Sequence, residues 1–302
     1  MNNDYFIKIL LAASLVFGLV SQPRALAEMN TEKHHQHQDM QSMSSIGEDE
    51  AVASIKTDPE QVSVGTPTTI VFSIKDRVGR PITDLTIHHD RLIHVVIASQ
   101  DFSVFSHIHP QDFGPITSEM KKTAQYHVRF TFPKAGRYII GIDFAVKGQP
   151  ISKHFVVNVT GEPQMGPPKK DFSREKRFEG LDVKFATMPE RITAGNEVTL
   201  SYLFKNNGKQ VTDLEPWLSA PMHLAIISGD LTHFIHTHGE VRGMPTMGHH
   251  EHNMKMDMSV PKKFGPNVEV HVVFPAKGLY QIFGQVGYHG KVIPTSFMVE
   301  AE

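Results

Sequence analysis

Histidine and methionine are the side chains of this sequence best placed to do chemistry, and both are clustered. All 19 histidines and all but one of the 14 methionines fall after residue 27, in a chain with no cysteine. The richest segment reads Gly243-Met244-Pro245-Thr246-Met247-Gly248-His249-His250-Glu251-His252-Asn253-Met254-Lys255-Met256-Asp257-Met258. Thioether sulfur is a soft, neutral ligand that selects Cu(I) or Ag(I), whereas imidazole serves Cu(II), Zn(II) and Ni(II). Met244, Met247, Met254, Met256 and Met258 beside His249, His250 and His252 therefore suit copper in either oxidation state. Met254, Met256 and Met258 alternate with polar residues and make poor core material. Their competing use is an adaptable contact surface for a protein partner. A smaller cluster of the same kind, His34, His35 and His37 with Met40 and Met43, stands near the N-terminus, where the competing reading is a solvated polar tail.

A second constellation is repeated. Asp84-Leu85, His94, Ser99, Asp101, Phe105, His107 and His109 recur without a gap 129 positions later as Asp213-Leu214, His223, Ser228, Asp230, Phe234, His236 and His238. In the second copy two strands flank Gly229-Asp230, a short-hairpin signal. A two-residue loop sets His223 opposite His236, and in the first copy His94 opposite His107. Residues i and i+2 share a strand face, so His238 and His109 join these pairs. The expectation is a three-imidazole site in each copy, fit for copper or zinc with a further position left for water, Met or another ligand. The competing reading is a set of hydrogen-bonded core histidines, because Phe105 and Phe234 share their face and the partner strands are apolar on both sides. His88-His89 stands where the second copy has Trp217-Leu218; being unrepeated, it is assigned no role.

The elements that must position these residues are strands. Pro59 and Gly65 match Pro189 and Gly195 at an offset of 130, and Phe132-Pro133, Gly136, Tyr138 and Phe155 match Phe274-Pro275, Gly278, Tyr280 and Phe297 at 142. The jump in offset locates an insertion, at about 240–260, in the second copy. Short runs rich in Val, Ile, Thr, Phe and Tyr, separated by Gly, Pro, Asn and Asp turns, predict an all-β fold of two tandem immunoglobulin-like β-sandwich domains. The expected division is a first sandwich over 51–160, a linker over 161–180 and a second sandwich over 181–302.

Lys8, the apolar run Ile9–Val20 and Ala25-Leu26-Ala27 read as a signal peptide over 1–27, with cleavage after Ala27 and a polar His/Met-containing tail over 28–50. That predicts a periplasmic or secreted protein; an uncleaved anchor is the alternative. Lack of cysteine excludes disulfides, thiolate zinc sites, iron–sulfur clusters and thiol catalysis. A formal charge of -2 gives no electrostatic case for DNA or other nucleic acid as a partner.

The strings Leu214-Glu215-Pro216-Trp217 to Met222-His223 and Phe234-Ile235-His236-Thr237-His238, with Phe105-Ser106-His107-Ile108-His109-Pro110, resemble a pattern of exported bacterial proteins with YtkA-like immunoglobulin-like domains. The Met-rich insertion resembles segments of periplasmic copper-resistance proteins. These resemblances imply an exported β-sandwich protein associated with metal handling. The expected function is copper sequestration or delivery to a periplasmic or membrane copper-handling protein, with zinc or nickel as other possible ions and no enzymatic activity. A copper-dependent oxidoreductase and a metal-free interaction scaffold are the alternatives. No catalytic residue and no organic cofactor site is expected.

Overall fold

A computed structural model describes residues 51–243 and 260–302. The segment over 1–27 that reads as a signal peptide, the residues His34, His35 and His37, and the insertion residues Met244, Met247, His249, His250, His252, Met254, Met256 and Met258 lie outside the described residues.

The first repeat contains β1 (Val52–Asp58), β2 (Pro67–Lys75), β3 (Leu85–Thr86), β4 (Ile93–Ser99), β5 (Phe105–Ile108), a short helix α1 (Ser118–Thr123), β6 (Gln125–Thr131), β7 (Gly136–Val146) and β8 (Gln149–Val159). The second contains β9 (Glu175–Phe178), β10 (Leu181–Met188), β11 (Glu197–Asn206), β12 (Lys209–Gln210), β13 (Leu214–Glu215), β14 (His223–Ser228), β15 (Phe234–His238), β16 (Glu240–Val241), β17 (Asn267–Val273), β18 (Gly278–Tyr288) and β19 (Lys291–Ala301). All the pairings between these strands are antiparallel.

Each repeat is a β-sandwich. In the first, the sheet β1-β2-β6 packs against a sheet in which β7 lies between β8 and β4, with β5 beyond β4. In the second, β16-β17-β11-β10-β9 packs against β19, β18, β14 and β15 in the same arrangement. β2 and β11 alternate strictly: Ile70, Phe72 and Ile74, and likewise Val198, Leu200, Tyr202 and Phe204, point inward while their neighbours are more exposed. This period of two is what a sheet with one wet face requires.

β4 and β14 break that rule, being buried along their whole length. Ile93, Val95 and Ile97 enter the core of the first sandwich, and Leu224 and Ile226 that of the second. The opposite faces meet each other: Val96, Ala98 and Ile139 form one apolar cluster with Ala225, Ile227, Leu231 and Phe283, flanked by Phe102, Phe105 and Phe234. Strands apolar on both sides are therefore explained by docking of the two repeats, sheet to sheet.

The hairpins differ from the two-residue expectation. Ser228 N–H donates to the His233 carbonyl and Ser99 N–H to the Val104 carbonyl, so each loop has four residues, Gly229–Thr232 and Gln100–Ser103. The repeated Ser and Asp cause this. Ser228 Oγ donates to Asp230 at 2.6 Å and accepts from the backbone of Thr232 and His233, while Ser99 Oγ donates to Asp101 at 2.5 Å and accepts from Val104 N–H. Leu231 and Phe102 close the turns in the left-handed region, at φ 65° and 59°. The register moves by two: His223 pairs with His238 and His236 with Ala225, while His107 pairs with Val96. A shift of two preserves the face, so each trio still lies on one side of its sheet.

Candidate metal centre

That side is the one the repeats turn toward each other. The two trios meet at the inter-repeat boundary, beside the apolar cluster. His94 lies 5.0 Å, ring centre to ring centre, from His236 and 5.5 Å from His223, and His107 lies 5.3 Å from His236. His89 joins them, 3.7 Å from His238 and 5.5 Å from His223. His94, His109 and His223 are 1–2% exposed.

Three groups of nitrogens come within 4.8 Å of one another: those of His94, His107 and His109; of His94, His223 and His236; and of His89, His223 and His238. The first is the most compact. His94 Nδ1 is 3.1 Å from His107 Nε2 and 3.3 Å from His109 Nε2. Nitrogens bound to one tetrahedral ion at ordinary metal–imidazole lengths stand about 3.3 Å apart, so this spacing fits an ion.

The outer nitrogens fix the tautomers. His94 Nε2 faces the His88 carbonyl at 3.0 Å and His109 Nδ1 faces Asp112 Oδ2 at 3.0 Å. Carbonyl and carboxylate oxygens only accept, so these nitrogens carry the protons and leave His94 Nδ1 and His109 Nε2 as bare lone pairs. His107 Nδ1 donates to Gln285 Oε1, across the boundary, at 2.9 Å. Burial keeps the rings neutral, pushing His94 down to about 3, His109 down to about 4 and His107 well below the ordinary histidine range. Three lone pairs thus face one another in a largely buried place. Ligating imidazoles are commonly oriented by this kind of outer hydrogen bond.

A pseudo-twofold relates the second trio. His223 Nε2 donates to the Trp217 carbonyl at 2.9 Å, matching His94 and His88, and His236 Nδ1 lies 3.4 Å from Asp143, matching His107 and Gln285. Asp143 and Gln285 are themselves equivalent at the 142 offset. Burial pushes the Asp143 carboxyl up, but its contacts with His236 and with the Ser152 hydroxyl outweigh this and hold it below the usual carboxylate range. His223 Nδ1, His236 Nε2 and His238 Nε2, the counterparts of the three converging atoms, are buried without a hydrogen-bond partner among the described residues. They stand further apart than their counterparts and do not form a compact group by themselves.

Matching this domain architecture, one family model, described as Domain of unknown function (DUF8832), covers residues 48–161 and again 176–302. The chain belongs to the DUF8832 family. Both DUF8832 copies carry a full histidine trio, so the centre is assembled from the two family domains together. No curated protein matches the chain in sequence. Solved structures similar to it include the Escherichia coli adhesin FdeC, 11% identical with a TM-score of 0.23 over 83% of this chain and 64% of the adhesin. Red sea bream transglutaminase is 12% identical with a TM-score of 0.24, over 84% of this chain and 32% of the enzyme. Trypsin-activated alpha-2-macroglobulin from Escherichia coli is 10% identical with a TM-score of 0.25, over 83% and 16%. The chain thus spans less than two thirds of each of them.

Several residues of the centre were missed by sequence reasoning. His88-His89 was set aside because the second DUF8832 copy has Trp217-Leu218 there, yet an unrepeated residue is how a shared site becomes asymmetric. Asp143 and Gln285 sit in strands that read as apolar core. Asp112, three residues after His109, carried a usable signal: a carboxylate close to a candidate ligand.

Proposed function

We propose that the protein is an exported metal-binding protein whose principal site takes a copper ion on His94 Nδ1, His107 Nε2 and His109 Nε2, for sequestration or for delivery to a partner. The observation that carries this reading is the convergence of three bare imidazole nitrogens, 3.1 and 3.3 Å apart, whose outer nitrogens are all engaged elsewhere. Facing lone pairs repel, and a cation between them turns the repulsion into binding. Because the rings are held neutral, the ion competes with few protons near pH 7.

Copper is favoured over zinc or nickel by the soft ligands attached to the same strand. Six positions after His238 the chain enters the segment holding Met244, Met247, Met254, Met256 and Met258, whose thioethers suit Cu(I). In delivery, that segment would hold Cu(I) loosely while the imidazoles hold a more ordered ion. The signal segment over 1–27 and the resemblance of the insertion to copper-resistance segments support export and copper handling.

The test is titration with Cu(I), Cu(II), Zn(II) and Ni(II), with elemental analysis, of a variant lacking residues 243–258 and of the same variant carrying His109→Ala. Trp217, the single tryptophan, lies 5.3 Å from His107, 6.3 Å from His109 and 5.1 Å from His223, so its fluorescence reports an ion bound beside either trio. The first equivalent of Cu(II) should quench Trp217, and His109→Ala should weaken the binding of that equivalent at least tenfold. Absence of specific binding, or binding indifferent to His109, sinks the reading.

A further inference from the structure

The compact trio leaves His223, His236 and His238 of the second repeat and His89 of the first unused. His223 Nδ1 and His238 Nε2 are buried polar atoms with no hydrogen-bond partner among the described residues. Buried polar atoms are nearly always paired, so two unpaired imidazole nitrogens in one cluster call for a partner such as an ion. His89, from the other repeat, completes a group with His223 and His238 in which one ring nitrogen of each lies within 4.8 Å of the others.

His89 reaches this place by a specific backbone device. His88 and Arg91 exchange backbone hydrogen bonds around the two-residue turn His89-Asp90, and both turn residues are left-handed, at φ 46° and 61°. The second repeat builds the same turn with Leu218-Ser219, at φ 49° and 57°. Left-handed conformations at residues other than glycine are strained and collect at functional sites. Ser219 Oγ donates to Asp90 Oδ2 at 2.5 Å, tying the two turn tips together across the boundary and holding the ring of His89 against that of His238.

We infer that the chain has a second metal site, which spans the two repeats and is formed by His89, His223 Nδ1 and His238 Nε2. This rests on the first site's being a metal site, and it assigns to the protein a two-ion centre. The sites share no ligand: His94, His107 and His109 hold one ion, while His89, His223 and His238 hold the other. His236, between the trios, stands within reach of both His94 and His223 and is backed by Asp143. An ion on ligands from both repeats clasps them together, so loading the second site tightens the docking.

The experiment is native mass spectrometry with Zn(II), which imidazole binds and thioether does not, on the full chain with His34, His35, His37, His249, His250 and His252 changed to Ser. Two ions are expected. His89→Leu, which installs the residue that the second repeat already tolerates at φ 49°, should weaken the second ion at least tenfold and leave the first. His109→Ala should do the reverse. One ion in the parent, or two ions undisturbed by His89→Leu, overturns the inter-repeat site and leaves the proposed function standing. No ion in any variant removes both. Thermal melting of the metal-free His89→Leu protein, expected to be unchanged, separates ligand loss from unfolding.

Discussion

The two repeats carry the same trio on the same hairpin and surround it differently. Around the first trio, Asp112 holds His109 and Gln285 holds His107; around the second, Val241 stands where Asp112 would align, and Asp143 backs His236. Trp217 packs against both trios, 5.3 Å from His107 and 5.1 Å from His223, whereas His88-His89 close the side of the second alone. The histidines are therefore shared while the groups around them have diverged, and one trio is compact where the other is open. The packing beside the centre shows the same exchange. Phe105 stacks on Phe283 at 4.2 Å, whereas its counterpart Phe234 lies over Gly141, the residue equivalent to Phe283.

The largest expected effect comes from acid, and it tests what the repeats have in common. His94, His89 and His109 are pushed down to about 3, 4 and 4, mainly by burial, and His107, His223 and His238 are also lowered. Their folded values lie below the unfolded 6.5, so between about 6.5 and 3–4 the unfolded chain binds more protons. Stability is accordingly full above pH 7 and falls as the pH drops through that window, by up to about 1.4 kcal/mol per pH unit for each ring that stays neutral in the fold. Denaturant titrations of the metal-free protein from pH 7.5 to 4.5 should show a steep loss of stability. A variant with all six trio histidines changed to Gln should show a much shallower one; equal slopes would mean the rings are not buried neutral.

Next in size is Gly141→Ala. A Cβ at Gly141 would come within 2.3 Å of the Phe234 ring, forcing the boundary apart. The expected cost is about 1–3 kcal/mol in chemical denaturation. Metal affinity should fall with it, because Gln285 and His89 act across the same boundary. A neutral substitution would mean the repeats dock more loosely than Phe234 and Gly141 imply.

Much of this centre could be read from the sequence, for reasons tied to particular residues. The gapless 129 offset identified the repeat, and alternation such as that of Ile70, Phe72 and Ile74 identified the sandwiches, because both are local patterns. Which residues share a face survived a wrong loop length, since Ser228 and Asp230 lengthened the turn by two residues and kept the parity of the strand. The docking of repeat on repeat was not legible: Val96 and Ala225 look alike whether they fill a core or a boundary. His89 depended on that docking, because its partners lie more than 130 positions away, in the other sandwich.

Replacing Asp112 by Val gives the first trio the support of the second. His109 Nδ1 then loses its acceptor, the ring is free to rotate, and Nε2 is no longer aimed at His94 and His107. Loss of such an outer partner typically weakens metal binding 10–100-fold. Competition against a chelator should show this loss for the first equivalent of metal and not for the second. An unchanged affinity would mean that the compactness of the first trio does not depend on its carboxylate.

The smallest expected effect is that of Ser219→Ala, which removes the hydrogen bond between the turn tips while leaving all the imidazoles in place. The contact is exposed, so folding stability should change by less than about 1 kcal/mol. Its informative consequence is positional. The first trio takes no side chain from either turn, though His94 is steadied by the His88 carbonyl at the base of one. The His89–His223–His238 group depends on the tip of that turn being held. The variant should therefore bind its first Zn(II) as the parent does and its second a few-fold more weakly, as read by calorimetry. Equal weakening of both ions would show that the tie acts on the docking of the repeats as a whole; no weakening of either would show that the apolar contacts of Phe283, Phe105 and Phe234 already fix the boundary, with the turns following it passively.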